Sequence, residues 1–147
     1  MYWLDKKDIE PRLYLLDRFE VMIEWDKVEP FFIKALKHNY EGTSINDVKN
    51  QALRKEIDIW FLLDDDNEVI GAMSTFLENR KKGMACCVYL ISANSFKKNY
   101  KKWLHSLSSW AQNRGAQMLE LHGRLGWEKL LKKDGFRKKA ILLNMEL

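Results

Sequence analysis

The stretch that most constrains this chain is its last third. Gln117-Met118-Leu119-Glu120-Leu121-His122 alternates as a strand, and Gly123-Arg124-Leu125-Gly126 reads as a turn. A short helix from Trp127 to Asp134 follows, then Gly135-Phe136, then a strand from Lys139 to Leu147. A strand–turn–helix–strand unit of this kind belongs in a sheet that helices cover.

The rest of the chain supplies that sheet. Leu13 to Leu16 and Val21 to Ile23 are compatible with a strand, bent near its middle. Asp26-Lys27-Val28-Glu29 has the acid-x-x-Glu form of a capping box, with Pro30 in the first turn, which predicts a helix start at Asp26. A second cap at Thr43 or Ser44 opens a short helix with Ile45, Val48 and Ala52 on one face. The period then changes to that of strands: Ile57 to Leu63, Glu68 to Leu77 and Met84 to Ile91, parted by the turn Asp64 to Asn67 and the polar hairpin Glu78 to Gly83. A long helix capped near Ser95 carries Phe96, Tyr100, Trp103, Leu104, Leu107, Trp110 and Ala111 on one stripe and stops at Gly115. The expected order is β-α-α-β-β-β-α-β-α-β: one α/β domain over residues 1–147, with a mixed sheet and helices on both faces.

Composition excludes several classes. At 147 residues, 46% hydrophobic and 31% charged, the chain is of ordinary globular make-up and long enough to bury a sizeable core. No apolar run approaches the roughly 18–20 residues of a membrane span, and the first residues lack the apolar stretch of a secretory leader. Cys86 and Cys87 are neighbours, which a strand would point to opposite faces. They read as reduced core residues, and no metal site is expected. Net charge is +4, and much of the positive charge is grouped: Lys97, Lys98, Lys101 and Lys102, then Lys132, Lys133, Arg137, Lys138 and Lys139. Eighteen lysines against seven arginines argue against base-specific recognition, so any nucleic-acid binding is expected to be weak and nonspecific.

The element order and the final unit resemble the GNAT superfamily of acyl-CoA N-acyltransferases. The superfamily pattern of the last helix is N-x-x-A-x-x-L-Y-x-x-x-G-F. With its G-F on Gly135-Phe136, its Leu falls on Leu130, while Arg124, Trp127 and Leu131 replace the Asn, Ala and Tyr. The tyrosine, often the acid that protonates the CoA thiolate, is here an alkyl group that carries no proton. The cofactor loop, Q/R-x-x-G-x-G/A in GNAT enzymes, presents backbone N–H groups to a pyrophosphate at a helix N-terminus. This chain has Ile91-Ser92-Ala93-Asn94-Ser95-Phe96-Lys97 there, and no glycine between Gly83 and Gly115. Ser92, Asn94, Ser95 and Lys97 form an altered anion site at most.

A second resemblance rests on Trp25-Asp26-Lys27-Val28-Glu29-Pro30, Ala35-Leu36, Trp110-Ala111-Gln112-Asn113-Arg114-Gly115 and Gly123-Arg124-Leu125-Gly126-Trp127. In that order these words are similar to a family of small bacteriophage proteins with a GNAT-like fold, and to GNAT-like internal virion proteins of short-tailed phages. The resemblance implies synthesis in the host cytoplasm, packaging in the virion as one destination, and other phage proteins or a host protein as partners.

Acid–base candidates are few. Glu78 ends a central strand near the expected acceptor cleft, and a turn carboxylate beside Arg80 is its plain alternative. His122 closes the strand before Gly123, where ligands collect in open α/β sheets, and is otherwise a structural histidine. Arg124 and Trp127 form either a recognition corner or a pin that fixes the last helix. Two functions therefore stand side by side: a GNAT-fold phage component that acts through protein contacts and holds no cofactor, or a divergent N-acetyltransferase using acetyl-CoA. The missing glycines and tyrosine favour the first.

Overall fold

The computed structural model describes residues 12–39, 41–122 and 125–140, with 143, 145 and 146. Its elements are β1 (Leu13–Leu16), α1 (Arg18–Leu36), α2 (Ile45–Leu53), β2 (Asp58–Leu63), β3 (Val69–Arg80), β4 (Gly83–Ala93), α3 (Phe96–Asn113), β5 (Ala116–Leu121) and α4 (Leu125–Lys132). The five strands are neighbours in chain order. β1 to β4 pair antiparallel, and β5 joins β4 in parallel across the α3 crossover.

Period-2 alternation in β2 explains why the sheet carries helices on both faces. Ile59, Phe61 and Leu63 enter a core shared with Trp25, Val28 and Phe32 of α1 and Val48 and Ala52 of α2. Trp60 and Leu62 enter the opposite core with Trp103, Leu107 and Trp110 of α3 and Leu131 of α4. A strand buried on both faces reads as an unbroken apolar run, as IDIWFLL does. Two of the three buried indole N–H groups in this core are satisfied: Trp60 donates to Thr75 Oγ1 and Trp103 to the Leu63 carbonyl, each at 2.9 Å, whereas the buried Trp110 N–H finds no partner among the described residues. Cys86 and Cys87 are both free and buried.

Three expectations are corrected. Val21 to Ile23 lie in α1, not in a strand, and α1 begins at Arg18 rather than near Asp26. Its true capping box is Asp17 with Glu20: the Asp17 side chain accepts from the Glu20 N–H at 2.8 Å, and Glu20 reaches back to the Asp17 N–H at 3.1 Å. Pro30 therefore sits inside the helix, where it withholds the N–H that Asp26's carbonyl would otherwise meet. α3 does begin after Ser95, yet the Ser95 side chain makes no cap bond and its backbone is left-handed, at φ 53°. Finally, the last strand is not found among the described residues. Lys139, Ala140, Leu143, Met145 and Glu146 are in no strand and are exposed without a ladder partner; the other residues of 141–147 lie outside the described ones. No described helix is long and apolar enough to cross a membrane.

Candidate functional site

The sheet opens where β4 and β5 part. Their pairing ends at Val88↔Leu121, while β4 runs on to Ala93 with β3 alone beside it. Just there β4 is bulged: Thr75 pairs with Val88 and Ser74 with Leu90, leaving Tyr89 unpaired, and the Leu90 N–H donates to Ser74 Oγ at 3.2 Å. The displaced Tyr89 side chain turns toward the α1–α2 loop. Asn39 Nδ2 donates to its hydroxyl at 3.0 Å, and Thr43 Oγ1 lies 2.9 Å from it. The Asn39 Oδ1 meanwhile accepts from the N–H groups of Glu41 and Thr43, so one amide folds the loop and fixes the phenol.

Beyond the bulge, aromatic rings fill the opening. Phe96 of α3 stacks on Trp127 of α4 at 5.4 Å between centroids and on Tyr100 at 5.6 Å, with planes within 9° and 7° of parallel. Ile91, Leu121 and Leu131 close the walls. What remains is an apolar cavity of about 10 Å³, room for no more than a single water. Trp127 is half-buried, less covered than a core tryptophan. Leu131, at the position of the superfamily tyrosine, is packed in the core.

Ser92 is near the end of β4, Asn94 and Ser95 form the β4–α3 connection, and Lys97 is in the first turn of α3. Ser92 is half-buried and the others are exposed. The Asn94 N–H is engaged by the Ile70 carbonyl at 2.8 Å, and the Ser95 carbonyl accepts from the buried Asn99 side chain at 3.0 Å. Gly71 permits this tight approach: a Cβ there would meet Ala93 Cβ at 2.4 Å and the Ser92 carbonyl at 2.7 Å. The one left-handed residue of the loop is therefore a serine, where a glycine would adopt that conformation at no steric cost.

Glu78 and His122 are not brought together. His122 is exposed at the C-terminal end of β5, beside the opening. Glu78 lies at the hairpin end of β3, opposite Ala85, roughly 20 Å along β4 from Ile91 at about 3.3 Å per residue. There Arg80 joins the exposed Glu78 to the half-buried Glu120, a pairing that the sequence had not revealed. It donates to Glu78 through Nη2 at 2.7 Å and Nε at 3.2 Å, and to Glu120 across the sheet through Nη1. These bonds, Glu78's first, hold the Arg80 pKa above its ordinary value. Cys87 Sγ lies 3.6 Å from the same guanidinium, yet burial pushes its thiol up to about 11, and Cys86 up to about 12. Neither is a nucleophile at neutral pH. Arg124 lies outside the described residues. Among them no group of His, Cys, Asp and Glu is placed to hold a metal.

No family model and no curated protein matches the chain. Solved structures do. It resembles a probable acetyltransferase (15% identity, TM-score 0.66, covering 92% of this chain and 96% of that one). It is equally similar to the ribosomal-protein-alanine N-acetyltransferase of Brucella melitensis biovar Abortus 2308 (12%, 0.66, 92% and 99%). A third likeness is to an aminoglycoside acetyltransferase from an uncultured soil metagenomic sample, in complex with sisomicin (8%, 0.65, 92% and 95%). Identities this low speak to the fold alone: the chain shares the fold of these acetyltransferases, the GNAT fold.

Proposed function

We propose that this chain is a GNAT-fold protein that does not transfer acetyl groups and acts by contact, as a bacteriophage component in the virion or on a host factor. The observation that carries this reading is the Tyr100–Phe96–Trp127 stack, which occupies the opening between β4 and β5. A pantetheine arm laid between those strands would have to displace two aromatic contacts, each worth about 0.5–1.5 kcal/mol beyond its buried area. The loop ahead of α3 adds to this, since its Asn94 N–H is already bonded and no glycine lets a pyrophosphate approach. Acetyl-CoA therefore does not suit the residues present, and no catalytic step is drawn through it. The phage assignment rests on the sequence words around Trp25, Trp110 and Trp127.

An outward face suited to protein contact supports the same reading. Phe19, Met22, Ile23 and Ile33 lie along the side of α1 opposite its core face, and Phe19 is 69% exposed. Calorimetry with acetyl-CoA tests the first half: binding weaker than about 1 mM is expected, a free energy of only about 4 kcal/mol, and a micromolar constant would overturn it. Mass spectrometry of purified particles tests the second, with the chain expected at stoichiometric levels.

The parting of β4 from β5 favours a second reading, a divergent N-acetyltransferase whose aromatic stack opens on binding. Acetyl-CoA-dependent acylation of an amine by the purified chain is its test.

A further inference from the structure

The two lysine-rich stretches that stand apart in the sequence meet in the fold. The Tyr100 hydroxyl, in the first turns of α3, donates to Asp134 Oδ2 at 3.1 Å, just past the end of α4. Phe96, one turn earlier, stacks on Trp127. Lys97 and Lys101 flank Tyr100 on α3, while Lys132 and Lys133 directly precede Asp134, so both sets converge on one end of the molecule.

Lys97, Lys98, Lys101, Lys132, Lys133 and Arg137 are exposed and have no ion pair among the described residues. Lys102 differs, being held by Asp65 at 2.7 Å. Residues 97–102 and 132–139 contain nine of the chain's 25 basic residues and one of its 21 acidic ones, so the remainder carries an excess of acid. The net charge of +4 understates this segregation.

We propose that this end of the molecule docks on the phosphate backbone of duplex nucleic acid, without reading sequence. The charges are spread over two elements rather than aimed at one point, which suits a polymer of regularly spaced phosphates better than a single small anion. All but one of the nine are lysines, point charges that pair with phosphate but lack the planar fork that reads base edges.

The test is fluorescence anisotropy of labelled duplex DNA with the full chain across a sodium chloride series. If about five phosphates are engaged, log K against log salt falls with a slope of about −4.5. The variant Lys97→Gln/Lys101→Gln/Lys132→Gln/Lys133→Gln, checked for native circular dichroism, should flatten that slope by about 3 to 4 and weaken low-salt binding more than tenfold. Lys34→Gln/Lys37→Gln, at the C-terminal end of α1, should change neither. The proposal fails if the duplex is not bound at about 50 mM salt, if the slope is near zero, or if the α1 control loses as much. It fails too if one sequence is strongly preferred, or if the chain binds phosphatidylserine vesicles and not DNA.

Discussion

α1 and α3 are nearly the same length, 19 and 18 residues, and lie on opposite faces of one sheet, yet they solve the helix problem differently. α3 is sharply divided, with four large aromatic residues on its inner side and lysines on its outer side. α1 is mixed on its outer side: Trp25, Val28 and Phe32 face the core, while Phe19, Met22, Ile23 and Ile33 are exposed beside the charged Asp26 and Lys34. Their starts differ too. α1 opens on a complete side-chain capping box, and α3 on a left-handed serine without one. The difference is that α3's outer surface is one of lysines, whereas α1's sets four apolar side chains among charged ones.

The largest expected effects test the two cores. Phe32→Ala beneath α1 and Trp103→Ala beneath α3 each remove a fully buried ring and should cost about 3–5 kcal/mol. Because the sheet separates them, the double variant should be additive within about 0.5 kcal/mol in denaturant unfolding. Strong coupling would merge what is described above as two cores.

Next comes the stack at the head of α3. Trp127 is half-buried, so Trp127→Ala should cost about 2–3 kcal/mol, less than a fully buried aromatic. Melting curves on this variant and on Trp103→Ala should rank in that order. A loss equal to that of Trp103 would mean that Trp127 is part of the core proper.

The helix starts give a smaller and opposite pair. Asp17→Ala should destabilise by about 1 kcal/mol through loss of the cap. Ser95→Gly should stabilise by up to about 1 kcal/mol, since glycine accepts the left-handed backbone more readily, less its greater freedom when unfolded. If both variants lose stability, the serine cap makes a contribution that its geometry does not reveal.

Smallest in stability, and most telling for function, is the outer stripe of α1. Phe19→Ser and Ile23→Ser should each stay within about 0.5 kcal/mol of the parent, as exposed substitutions do. Incorporation into particles, followed by mass spectrometry, should nevertheless fall for these variants and not for Lys34→Gln.

Where local pattern alone sets structure, the sequence was sufficient. Ser44 caps α2, the alternation of Ile59, Trp60 and Phe61 divides a strand between two cores, and Gly115 ends α3 at φ +90°. The start of α1 was misread because two words of the same acid-x-x-Glu form, at Asp17 and Asp26, compete, and only packing of Val21 and Trp25 on the sheet selects the first. The terminal strand expected from Lys139 onward met no partner among the described residues. Gly71's need to be small, the meeting of Tyr89 with Asn39 and Thr43, the Arg80 bridge between Glu78 and Glu120, and the Phe96–Trp127 stack were decided by tertiary structure. Each joins residues far apart in the chain, and no local period records which strand end a loop will cover or which two lysine runs a single tyrosine will bring together.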